Sequence, residues 1–88
     1  MKRYSKLGGR IKYIRKIKDL NQVDVAISLG IPRSAISKIE NGKQEMTSEI
    51  LFQFAIKYDV SADFLLGISD EPTLPQKVID RFNEKTKL

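Results

Sequence analysis

Apolar residues recur at helical spacing from the start of the chain: Leu7, Ile11 and Ile14 line one stripe, and Ile17 widens it. The pattern predicts a first helix over about Ser5 to Lys18. Gly8 and Gly9 sit near its start, and each costs about 1 kcal/mol relative to alanine, so the first turn is expected to fray. Asp19-Leu20-Asn21 breaks the period, and Asn21 is a good N-cap for a second helix, Gln22 to Leu29. Gly30 follows at a position where a left-handed conformation is cheap only for glycine. After Ile31, Pro32 opens a third helix that holds Ile36 and Ile39 inward and stops at Asn41-Gly42.

Beyond Thr47, a predicted N-cap, Ile50, Leu51, Phe54, Ala55 and Tyr58 give a fourth helix with a broad buried face. Ser61 caps a short fifth helix, Ala62 to Leu66, closed by Gly67. Residues 68–75 carry two prolines and read as a linker. The last amphipathic segment, Gln76 to about Lys85, offers only Val78, Ile79 and Phe82. No stretch alternates as a strand should. The chain therefore reads as all-α, with a domain over 1–67 and a linker and helical tail over 68–88.

Composition narrows the function classes. The 88 residues suffice for one small core. Without cysteine there is no disulfide framework or thiolate metal site. Without histidine, the commonest general base and metal ligand is missing too. No Gly-rich phosphate loop or acidic metal cluster appears, so an enzyme is not expected, nor a cofactor or a metal. No apolar run approaches a membrane span and no signal-type stretch follows the basic N-terminus, so a cytoplasmic location and no membrane partner are expected.

Charge placement adds more than the net +5. Residues 1–43 hold eleven basic against three acidic residues, and residues 44–88 five basic against eight acidic, so the two parts carry about +8 and −3. A basic half beside an acidic half is what a polyanion-binding face on a dipolar domain would look like. A solvated lysine-rich helix would look the same.

Geometry then singles out Gln22 to Asn41: a short helix, a tight turn at Gly30 and a second short helix. Helices joined this way cross steeply, and the second can lie in a DNA major groove. Ala26 is expected at the crossing, with Val25, Leu29 and Ile36 as the apolar wedge beneath. If Ile36 and Ile39 point inward, then Arg33, Ser34, Ser37 and Lys38 point away. Arginine can bridge guanine O6 and N7 with two hydrogen bonds, and lysine reaches the same acceptors. Those four residues alone would serve equally well on a plain solvated face.

The stretches Leu20-Asn21-Gln22, Val25-Ala26, Leu29-Gly30-Ile31, Ile36-Ser37-Lys38-Ile39-Glu40-Asn41-Gly42-Lys43 and Val60-Ser61-Ala62-Asp63-Phe64-Leu65-Leu66 go further. Over about Leu7 to Gly67 the sequence resembles the Cro/CI-type (XRE-type) helix-turn-helix family of phage repressors and bacterial regulators. The resemblance implies a compact five-helix, lambda-repressor-like domain that binds double-stranded DNA. It implies base reading by Arg33 and Ser34, with Ser37 and Lys38 further along, and phosphate contacts by Asn21, Gln22, Asn41 and Lys43. Arg15 and Glu40 occupy the places of a basic–acidic pair that is read as structural. The fifth helix around Phe64-Leu65-Leu66 is where the lambdoid repressors meet as dimers.

Three departures stand out. Pro32 replaces the usual Ser or Thr cap, so a capping hydrogen bond is lost at the docking end. Met46 replaces a frequent proline. Val23 and Ile27 sit where the family places polar residues, giving an exposed apolar pair on the second helix.

The expected function is a transcriptional regulator, a repressor acting as a homodimer on a palindromic operator in the nucleoid. An antitoxin or a restriction-modification controller protein of the same fold remains the alternative, and either would add a protein partner such as a toxin or antirepressor. The stretch after Gly67 is too short for a ligand domain, so regulation is expected through concentration, dimerisation or a separate protein. Val78, Ile79 and Phe82 either add to the dimer or fold back on Val23 and Ile27.

Overall fold

The computed structural model describes residues 3–73, with side chains from Leu7 onward. Among these residues five helices follow in order: α1 (Arg3–Ile17), α2 (Gln22–Leu29), α3 (Arg33–Glu40), α4 (Ser48–Lys57) and α5 (Ala62–Leu65). There is no strand among them, only an isolated antiparallel bridge between Val60 and Thr73. The amphipathic segment expected over 76–85 lies outside the described residues.

Local chemistry explains most of the boundaries. The Asn21 side chain accepts from the Asp24 amide at 2.7 Å while the Asp24 carboxylate accepts from the Asn21 amide at 3.3 Å, a reciprocal capping box. Thr47 and Ser61 accept from the amides of Ile50 and Phe64 in the same manner. Gly30 adopts φ 67° after α2, the left-handed turn expected of it. Helices α1 and α4 end without glycine: Asp19 and Asp59 take φ 56° and 53°. The next amides, of Leu20 and Val60, reach back to the carbonyls of Arg15 and Ala55. Aspartate tolerates that conformation better than most side chains.

Helix α1 departs from its expected pattern in two ways. It runs without interruption from Arg3, and Gly8 is buried rather than frayed. A Cβ at Gly8 would lie 1.9 Å from the Ile39 carbonyl oxygen, so the missing side chain is what lets α1 meet α3. Ile17 is 58% exposed and does not widen the core stripe. The buried face comprises Leu7, Gly8, Ile11, Ile14 and Arg15, so it swings toward the arginine and away from Ile17.

The core joins Ile11, Ile14, Val25, Ala26, Ile36, Ile39, Phe54, Val60 and Leu65, with Leu20, Leu29, Ile50, Leu51 and Tyr58 packed at its edge. Full burial of side chains of this size contributes about 1.5–3 kcal/mol each. Met46 is buried too and fills the approach to α4. Helix α3 is sandwiched: α1 and α2 both pack on it, α5 packs on α1 and α4, and α2 also touches α4. A polar strut ties α2 to α4, where the hydroxyls of Ser28 and Tyr58 share a hydrogen bond and the Lys57 ammonium donates to the Ser28 carbonyl. Placing that cation at the end of α2 also suits the helix dipole.

Residues 68–73 run back over the domain. The Ser61 amide donates to the Pro72 carbonyl at 2.8 Å, and the amides of Ile68 and Ser69 donate to the Asp63 carbonyl. Phe64 and Leu65 are buried within the chain, so the surface expected from Phe64-Leu65-Leu66 reduces to Leu66 and the neighbouring Ile68. Arg10 accounts for Phe64: its guanidinium lies 4.8 Å from the ring centroid and donates to the Phe64 carbonyl at 3.0 Å.

Candidate nucleic-acid interface

Helix α3 is amphipathic in the strict sense that its two sides do different work. Ile36 and Ile39 are essentially inaccessible, whereas Arg33, Ser34 and Lys38 are exposed and Ser37 is half-buried. The crossing with α2 is close because Ala26 faces it, buried, with Val25 and Ile36 beneath. A larger residue at 26 would have to push the helices apart. Pro32 stands at the N-cap of α3 with no side-chain hydrogen bond, as its chemistry requires.

The opposite end of α3 is tied to α1 by a buried ion pair. Arg15 Nε donates to Glu40 Oε2 at 2.7 Å and Arg15 Nη2 to Glu40 Oε1 at 2.9 Å, a bidentate fork. Arg15 Nη1 donates to the Leu20 carbonyl at 2.9 Å, which fastens the loop before α2 to the same guanidinium. The hydrogen bond to Glu40, aided by its charge, outweighs desolvation and raises the pKa of Arg15 above its already high ordinary value. A raised basic pKa stabilises the fold at every pH below the ordinary arginine value, and the gain disappears only as pH climbs through the raised one. Arg15 therefore stays charged over the whole working range.

Glu40 also accepts from Gln22 Nε2 at 3.1 Å, and Gln22 Oε1 accepts from Arg33 Nε at 3.3 Å. The residues expected as a structural pair and two of those expected at DNA thus form one connected set. The others are placed separately. Asn21 is exposed, with its side-chain oxygen used as the cap of α2; Asn41 is the exposed residue that ends α3; Lys43 is exposed two positions further on. The Lys43 amide donates to the Lys38 carbonyl at 2.8 Å, so the turn after α3 is fixed to the helix it follows. The link from Gln22 to Glu40 and Arg33 had no sequence signal, because it joins residues 18 and 11 positions apart.

Two short helices crossing at a small residue, the second with a buried apolar side and an exposed Arg/Ser/Lys side, match a known arrangement. The sequence pattern of the helix-turn-helix family matches residues 11–65. The chain belongs to that family. It is a DNA-binding regulator of transcription of the XRE type, not an enzyme.

Among helix-turn-helix relatives, the chain is 34% identical over 61 residues to the antitoxin PezA of Streptococcus pneumoniae serotype 4. That match takes in 69% of this chain but 39% of PezA, so the chain spans well under half of that protein. It is 31% identical over 78 residues to the uncharacterised HTH-type transcriptional regulator YobD of Bacillus subtilis, covering 86% of this chain and 70% of YobD. In three dimensions it superposes on the restriction-modification controller protein C.AhdI of Aeromonas hydrophila with a TM-score of 0.66 and 26% identity, over 70% of this chain and 94% of C.AhdI. The N-terminal DNA-binding domain of SinR from Bacillus subtilis matches with a TM-score of 0.63 and 33% identity, over 68% and 88%. No helix among the described residues is long and apolar enough to cross a membrane.

Proposed function

We propose that this helix-turn-helix protein is a sequence-specific repressor that acts as a dimer on a palindromic operator. Helix α3 enters the major groove, where Arg33, Ser34, Ser37 and Lys38 read base edges. Asn21, Asn41 and Lys43, with Gln22 beside them, meet the sugar–phosphate backbone. The observation that carries this reading is the division of α3: Arg33, Ser34 and Lys38 project outward from a helix whose Ile36 and Ile39 are fixed in the core. Base contacts of the Arg–guanine kind need a rigid platform, and the ion pair at Glu40 supplies it.

A single short helix reads only a few base pairs, so a specific site calls for two copies about 34 Å apart on one face of the duplex. The acidic C-terminal half is the side where copies can approach without strong repulsion, and Leu66 and Ile68 offer exposed apolar surface there. Repression follows most simply from blocking access of polymerase to the bound promoter, in the cytoplasm where the nucleoid lies. A restriction-modification controller of the same fold is the second reading. The extent of the match to C.AhdI, 94% of that protein against 39% of PezA, favours it over an antitoxin.

Selection of bound duplexes from a random pool is the decisive experiment. The expected result is an inverted repeat with half-sites one helical turn apart, about 10 base pairs centre to centre. Enrichment of no sequence at all would overturn sequence-specific reading, and enrichment of a single unrepeated half-site would overturn the dimer. On the selected site, Lys43→Ala should lower affinity for every duplex alike and reduce the salt slope by about 1.

A further inference from the structure

We infer that Gln22 is a positioning residue for Arg33, converting the buried Arg15–Glu40 pair into a fixed aim for the guanidinium that reads the base. This rests on the reading that α3 enters the major groove with Arg33 facing bases.

The argument starts from what each neighbour can do. An ionised carboxylate only accepts hydrogen bonds and a guanidinium only donates them. Gln22 lies between the two, with Glu40 Oε1 at 3.1 Å and Arg33 Nε at 3.3 Å. Its amide therefore has one allowed orientation, NH2 toward Glu40 and oxygen toward Arg33. Glutamine is suited to this task because it carries both functions on one planar group. Glutamate would set a second negative charge against Glu40, and an aliphatic residue would offer neither bond. Glu40 cannot move to suit Gln22, since Arg15 holds both of its oxygens at 2.7 and 2.9 Å, and Arg15 is itself fastened to the Leu20 carbonyl. Position is thus passed along a series of hydrogen bonds from α1 to the exposed start of α3.

The effect on Arg33 is specific. Its Nε–H is occupied by Gln22, which leaves the terminal Nη1 and Nη2 as the free pair. Those two nitrogens can engage guanine O6 and N7 together only when the guanidinium approaches end-on. Gln22 therefore selects the end-on approach over the side-on one that would use Nε, and it does so without touching a base.

The test is a double-mutant cycle on the selected operator at one fixed salt concentration, using Gln22→Met, which keeps the side-chain volume and removes both hydrogen bonds, and Arg33→Ala. In the otherwise unchanged protein Gln22→Met should cost about tenfold in affinity, the scale of one charge-assisted hydrogen bond, with the loss confined to duplexes carrying guanine at the Arg33 position. In the Arg33→Ala background it should cost less than about twofold, because there is no guanidinium left to aim. Equal losses in both backgrounds, together with a shallower salt slope, would make Gln22 a phosphate contact and overturn the proposal while leaving groove reading intact. If Arg33→Ala weakened all duplexes equally, Arg33 would not read a base and both readings would fall together. A measurement without DNA stands beside these: the Arg33 Nε–H proton should exchange more slowly in the unchanged protein than in Gln22→Met, and equal exchange would also overturn the proposal.

Discussion

At its C-terminal end α3 carries Glu40, which takes two hydrogen bonds from a buried arginine, and Ile39, whose carbonyl rests against Gly8. At its N-terminal end Pro32 provides no side-chain cap, and Arg33 is exposed, with one hydrogen bond to the half-buried Gln22. The same eight-residue helix is therefore clamped at one end and lightly held at the other. The difference follows from function. A reading helix must keep its axis fixed, which needs contacts out of water where they are strong, while its reading side chains must keep their donors free for DNA. Rigidity comes from the end that never meets the ligand.

The strongest way to break this contrast is to remove Glu40. Glu40→Ala leaves the Arg15 guanidinium buried with only the Leu20 carbonyl, and should cost about 3–5 kcal/mol in urea unfolding. A loss under about 1 kcal/mol would mean that the pair does not clamp α3. Next in size, Gly8→Ala places a methyl group against a backbone carbonyl that cannot step aside. It should cost at least about 2 kcal/mol despite alanine's better helix propensity. Ala26→Leu probes the α2–α3 crossing in the same way and should cost about 1–3 kcal/mol, with DNA binding lost as the helices separate. An unshifted urea midpoint would show that the crossing has room to spare.

At the lightly held end the expectations reverse. Arg33→Ala should weaken binding to the selected site by about 1–3 kcal/mol and relax base choice at one position per half-site. Its urea midpoint should move by less than about 0.5 kcal/mol in stability, because the side chain is exposed. Pro32→Ser should have the smallest effect on folding. The serine cap contributes about 1 kcal/mol, and losing the fixed φ of proline returns about 0.4–1 kcal/mol, leaving a net change within about 0.5 kcal/mol. A larger gain on thermal melting would show that this end of α3 is frayed and not merely uncapped.

Much of this molecule is decided by signals a few residues apart. The caps at Asn21, Thr47 and Ser61, the glycine turn at Gly30 and the inward pair Ile36 and Ile39 act within one or two turns of chain, so the helices and the helix-turn-helix were legible in the sequence. The exposed set Arg33, Ser34 and Lys38 follows from the same short-range geometry. Packing decided the remainder. Ile17 fits the apolar period as well as Ile14 does, yet it is Arg15 that turns inward, because Glu40 waits 25 residues away to pair with it. Gly8 reads as a weak helix residue until α3 is laid across it and its missing Cβ becomes a requirement. Phe64 and Leu65 read as surface for a second copy, and the fold spends them on its own core under Arg10. Gln22 could be placed at the start of α2 from sequence, but its two partners come from α3, and only the crossing of the helices brings a carboxylate and a guanidinium to opposite ends of one amide. Hydrogen-bonding and apolar preferences belong to single residues and travel with the sequence. Which partner satisfies each preference depends on which distant surfaces are pressed together, and that is a property of the packed chain.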